Sequence, residues 1–232
     1  MKPPSSAVET TRVRVWDLPT RSFHWLLTLA IVAQVATGKV GGAALVWHMR
    51  IGYGIFALLL FRLLWGFVGG EWSRFARFVP SPATLLRYLR GRSRVDELHE
   101  VGHSPLGALS VLAMLLLLAV QVTSGLFADD EIATVGPLNH LVSGATATAA
   151  TAWHKGPGLA LLMALVLLHV GAIAYYRVFR QRSLVLPMIT GDKLLPVPGA
   201  PAARDGLATW LRALVLLLVC AGLVAAVVRL GG

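Results

Sequence analysis

Five apolar runs, each about twenty residues long, dominate the sequence; they cover roughly residues 22–40, 47–69, 104–127, 157–176 and 207–230. A helix rises 1.5 Å per residue, so about 20 apolar residues cross a hydrocarbon core about 30 Å thick. Inside that core every backbone polar group must be satisfied within its own segment, which leaves the helix as the natural form for such runs. The composition agrees: 56% of residues are hydrophobic and 14% charged, against roughly a quarter charged in soluble domains. The chain is expected to be an all-α integral membrane protein. The polar segments are short, there is no internal repeat, and no separate catalytic domain is expected.

The net charge of +10 raises the question of nucleic acid, and its distribution answers it. With the N-terminus inside, seventeen of the 21 Lys and Arg residues fall on the cytoplasmic side or at nearby helix ends. Lys39, Arg50, Lys155 and Arg229 make up the outer set. This is positive-inside sorting. It predicts five spans with the N-terminus cytoplasmic and the C-terminus outside, with the lipid bilayer as partner and no nucleic acid. The first apolar run is expected to stay as a span rather than be cleaved as a signal peptide. The outer side carries Asp129, Asp130 and Glu131.

The seven histidines point to chemistry. His154 and His169 bound one apolar stretch, fifteen residues apart. On a helix that is about 22 Å of rise and roughly 60° beyond four turns. They would lie near one face at two depths. In the predicted topology His24 opens the first span from inside, and His48 opens the second from outside. The pairs are then His24 with His169 at the inner level, and His48 with His154 at the outer level. An imidazole in an apolar span needs a partner. Two imidazoles from facing helices supply the axial nitrogens of a b-type haem, whose macrocycle slots among apolar side chains. The single Cys220 rules out a CxxCH motif in this chain, so haem would be held without covalent attachment. Arg21, Arg50 and Lys155 stand at levels suited to haem propionates. Gly52, Gly54, Gly156, Gly158 and Gly171 offer room near the ligands.

VWDLPTRSFHW, RLLWGFVGGEWSRFARF, GHSPLGA, TSGLFADDE and LVLPMITGDK strongly resemble the bacterial di-haem cytochrome b family, over about residues 13–195. That family includes the cytochrome b subunits of nickel–iron hydrogenases. The resemblance implies an antiparallel four-helix haem-binding bundle with two b haems, ligated from the first, second and fourth spans at His24, His48, His154 and His169. The fourth-span histidines stand one residue further apart than is common in the family, a difference Lys155 to Gly158 would absorb before a helix begins at Pro157. The expected organisation is a cytoplasmic arm over residues 1–15, poorly ordered, then the bundle over 16–195, then a linker and an extra transmembrane helix over 196–232.

The remaining motifs are weaker. His99, Glu100 and His103 match HExxH, the pattern of zinc proteases. Gly102 and Pro105 beside it suit a helix start better than a catalytic helix. His103 is read equally as a helix-start residue and as a contact of an inner-haem propionate or a quinone. His140 is read as a loop residue. Trp65, Phe67, Trp72, Phe75 and Phe78 suit an interfacial belt, or the border of a quinone site. The function expected is electron transfer between the quinone pool and a periplasmic partner, a c-type cytochrome or a hydrogenase. The resemblance implies those two ends. The alternatives are a self-contained quinone-linked oxidoreductase acting on a small oxidant or radical, and a haem-free intramembrane metalloprotease using HEVGH.

Overall fold

The computed structural model describes residues 10–94, 97, 101–132, 134–195 and 200–231. The spans are α1 (Leu18–Val40), α2 (Leu45–Val68), α5 (Pro105–Phe127), α7 (Pro157–Phe179) and α9 (Leu207–Arg229). Between them lie the shorter helices α3 (Phe75–Phe78), α4 (Pro82–Leu89), α6 (Gly144–Lys155) and α8 (Val185–Thr190). Among the described residues five helical stretches are long and apolar enough to cross a membrane. The chain is thus an all-α integral membrane protein, as its apolar runs predict.

The helix starts are written in the sequence. Asp17, Ser81, Ser104 and Ser143 each accept a hydrogen bond from the backbone N–H three residues on. This satisfies one of the donors a helix N-terminus leaves free. Proline follows directly at Pro82 and Pro105, and one residue later at Pro19, where its missing N–H costs nothing. Between α1 and α2 the chain turns at Gly41 and Gly42, with φ of +69° and +54°, a region that favours glycine.

The helix predicted from Pro157 has an extension that the sequence reading treats as a connection. Gly144–Lys155 is a helix, broken from α7 only at Gly156 (φ −108°, ψ −107°). His154 therefore sits in the last turn of α6 and not on the same regular helix as His169. Together the two helices cover 36 residues, about 54 Å if straight, well beyond a hydrocarbon core. Thr151 ties α6 to the end of α5, donating from Oγ1 to Asp129 O and accepting from Asp129 N.

α1 packs on α2, α2 on α5, and α5 on α6 and α7. Among the described residues neither α1 with α7 nor α2 with α6 forms a closely packed interface. The bundle is open along that line. Phe23, Leu27, Ile55, Phe61, Trp65, Leu118 and Leu162 form its core, joined by Ala213 and Cys220 of α9. α9 lies outside the four helices, against α2 and, less extensively, α1. Gly231 closes against the Pro137 backbone, so the end of α9 lies by the loop after α5.

The opposite end carries a small cap. Residues 11–14, expected to be poorly ordered, form strand β1 (Thr11–Arg14), antiparallel to β2 (Asp192–Leu195), with Thr11 opposite Leu195 and Arg14 opposite Asp192. Val13, Val15, Trp16, Trp72, Val101, Leu195 and Ala203 make a second core beneath it. Arg14 bridges Asp192 and Asp205. Asp17, fully buried, also accepts from Gly70 N (3.0 Å) and Ser73 Oγ (3.0 Å), locking the start of α1 to the end of α2.

Candidate functional site

The open line of the bundle is where the histidines meet. His24 of α1 and His169 of α7 bring their ring centres to 6.5 Å. His48 of α2 and His154 of α6 bring theirs to 5.9 Å. Each pair bridges two helices that do not otherwise pack closely. A metal–imidazole bond of about 2 Å, with about 1.1 Å from nitrogen to ring centre, sets two axial rings roughly 6.2 Å apart across one iron. Both pairs stand close to that separation. Among the described residues no three His, Cys, Asp or Glu side chains converge on a point, as the ligands of a bare ion would.

The outer rings are oriented by the backbone. His48 Nδ1–H donates to Gln34 O (3.1 Å), and His154 Nδ1–H donates to Gln121 O (2.9 Å). A carbonyl only accepts, so Nδ1 carries the proton in each ring and Nε2 keeps its lone pair, the arrangement in which histidine binds a metal. Gln121 Nε2 also donates to His154 O (2.7 Å). Two glycines make space for these rings. A Cβ on Gly38 would stand 3.1 Å from His48 Nδ1 and Cε1, and one on Gly125 would stand 3.0 Å from His154 Cε1. The sequence reading named other glycines. Of those, Gly158 faces Gln121 and Trp153, Gly52 faces Gln34, and Gly156 faces the Ala152 carbonyl, while Gly54 and Gly171 face open space.

At the inner level His24 is edge-on to Trp25 (5.1 Å), and its Nδ1 is buried without a hydrogen-bond partner. Arg21, one turn before it, donates to Ile189 O (2.6 Å) and Asp205 (3.3 Å), leaving its buried Nε unpaired. His103 lies between Trp16 (4.8 Å) and Phe78 (4.9 Å). Its imidazole is held down to about 3 by burial first, then by the charges of Arg62 and Lys193 and by His169 and His24. It is therefore neutral near pH 7. Beside it is a cavity of about 190 Å³, lined by Trp72, Phe78, Thr84, Glu97 and Pro105 among others.

Other predicted residues lie further out. Arg50 is exposed, its guanidinium 5.2 Å over the Trp47 ring, and Lys155 is exposed at the end of α6. His140 is exposed in a short turn over Asn139–Leu141. His99 and Glu100 of HEVGH lie outside the described residues. One residue that enters the sequence reading only as a cytoplasmic-side charge is Arg62, 4% exposed within α2. Its signal was an arginine inside an apolar run.

Residues 15–191 match the model of the family described as prokaryotic cytochrome b561. Similar proteins include a probable Ni/Fe-hydrogenase B-type cytochrome subunit of Bradyrhizobium diazoefficiens, 22% identical over 81% of this chain and 88% of that protein. One of the same description from Azotobacter chroococcum is 26% identical over 79% of this chain and 89% of its own length. The probable Ni/Fe-hydrogenase 1 B-type cytochrome subunit of Escherichia coli K12 is 22% identical over 76% and 88%. No solved structure matches the chain. With paired histidines along an open helical bundle and a family match over most of its length, the chain belongs to the prokaryotic cytochrome b561 family, as a multi-pass membrane protein of haem b electron transfer.

Proposed function

We propose that the chain holds two haem b groups, one between His24 and His169 and one between His48 and His154. It carries electrons across the bacterial inner membrane between the quinone pool and a periplasmic redox partner. The observation that carries this reading is the pair of ring separations, 6.5 and 5.9 Å, at the two ends of one open bundle. Bound haem supplies a one-electron couple at each level. The chain's own part is to hold the rings and exclude water. Gln34 and Gln121 fix the proton on Nδ1 of the outer rings. The apolar core around Leu27, Ile55, Leu118 and Leu162 separates the two levels.

The loop charges support an N-terminus inside and a C-terminus outside. In that orientation the His24–His169 pair and the cavity beside His103 face the cytoplasmic side. That cavity is the place we assign to a quinone, between the aromatic rings of Trp72 and Phe78. The relatives' names support a hydrogenase-like partner; we assign it to the other side, where Asp129, Asp130 and Glu131 suit basic groups and a c-type cytochrome would fit the same face. The testing measurement is haem content by pyridine haemochrome on purified protein made with ample haem. Two b haems per chain are expected. One haem would remove a level, and none would remove the proposal.

A further inference from the structure

Arg62 is a charged side chain buried within the membrane-spanning helix α2. This inference rests on the proposal that His24 and His169 hold a haem, and it concerns that group's acidic edge. Arg62 follows His48 on α2 by fourteen residues. That is about 21 Å deeper along the helix and within roughly 40° of the same face. His169 is separated from His154 by nearly the same rise. Arg62 therefore stands at the inner level, on the face of α2 whose outer end carries a proposed ligand.

Its surroundings are apolar and one-sided. The guanidinium lies over Phe75 (5.1 Å) and Phe78 (5.6 Å). The side chain is 4% exposed, and Nη1 is buried with no acceptor. A buried guanidinium nitrogen with no acceptor among the described residues is costly. Asp17 offsets it from a distance, but the Asp17 oxygens already accept from Thr20 N, Gly70 N and Ser73 Oγ. Among the described residues four further buried nitrogens toward this end also lack partners: Arg21 Nε, His24 Nδ1, Arg74 Nε and His103 Nδ1. Phe78 touches both Arg62 and His103. At the outer level the unpaired buried atoms are neutral, namely Gln34 Oε1, Gln121 Oε1 and Trp153 Nε1. Arg62 thus puts an unpaired cationic nitrogen in the interior at the inner level, whereas Arg50 and Lys155, the cations near the outer pair, are exposed.

We propose that Arg62, with His103 beside it, is the counter-ion of the inner haem's propionates. The two propionates are carboxylates on one edge of the macrocycle, and a guanidinium fork meets a carboxylate with two parallel hydrogen bonds. A fixed positive charge beside a haem favours the added electron, so Arg62 raises the inner midpoint potential relative to a neutral side chain.

The test is a redox titration of the purified holoprotein by visible spectroscopy, with His169→Ala marking which component is inner. Arg62→Gln should move the inner midpoint downward, lower inner-haem occupancy and leave the outer component in place. If Arg62 serves only to balance Asp17, Arg62→Gln lowers stability while both midpoints hold, and the proposal is overturned. Arg62→Lys keeps the charge and loses the fork. With haem labelled with 13C at the propionates, it should shift their carboxylate bands in the redox infrared difference spectrum. Unshifted bands in that variant overturn the proposal even if Arg62→Gln fails to accumulate. A His169→Ala protein that keeps both haems overturns the ligand reading underneath, a failure distinct from unchanged midpoints.

Discussion

At the scale of single residues, the outer level depends on small clearances. Gly125 leaves 3.0 Å between a would-be Cβ and His154 Cε1. Gly125→Ala must push the ring away from the Gln121 carbonyl or shift α5. Overpacking of this kind costs about 1–3 kcal/mol, a loss of about five- to 150-fold in affinity for the proposed outer haem. Haem-retention titrations should show the loss at the outer component alone. An equal loss at both would contradict the placement of His154. The four histidines were legible in the sequence because polar rings in apolar runs stand out and their depths follow from helix rise. Gly38 and Gly125 were not, since a glycine in an apolar run gives no sign of which ring will lie over it. Arg62 was visible, but as one more charge in a cytoplasmic count. Its depth and face acquired meaning once α2 was seen to run unbroken from Leu45 to Val68.

At the scale of elements, the cap joins segments from both ends of the described chain. Arg14 hydrogen-bonds to Asp192 and holds its carboxyl below the ordinary carboxylate range. Burial raises Asp205, but hydrogen bonds from Trp210, Leu18 N and Arg14 outweigh it, and its carboxyl is depressed as well. Both carboxyls bind protons less readily folded than unfolded. Their stabilisation is present above their ordinary value of 3.8 and is lost as pH falls through the depressed folded values. Acid titration followed by tryptophan fluorescence, with Trp16 and Trp72 in the cap core, should report loosening below about pH 4, the unperturbed carboxylate range. Asp192→Asn should weaken that dependence. An unaltered profile would contradict the assignment. The β1–β2 ribbon was beyond a sequence reading: two four-residue strands some 180 residues apart carry no local signal of their pairing. α6 was missed for a different reason. Its ATATAATA stretch has no strong apolar periodicity, and its threonines are indifferent helix formers. Its place comes from the Ser143 cap and packing on α5.

At the scale of the whole molecule, five spans and their order follow from run length, and the structure adds how they are used. Four helices form a bundle left open between α1 and α7, and between α2 and α6, while α9 rests outside on α2. This openness distinguishes a frame that holds flat groups from a bundle that closes on its own core. The proposed pairing is that His24 with His169, and His48 with His154, hold the groups. It is tested most directly by the optical redox spectrum of four single variants in otherwise identical preparations. His24→Ala and His169→Ala should each lose the same spectral component and keep the other, and His48→Ala and His154→Ala should show the converse. If His24→Ala and His48→Ala remove one and the same component, the pairing across the open bundle is wrong.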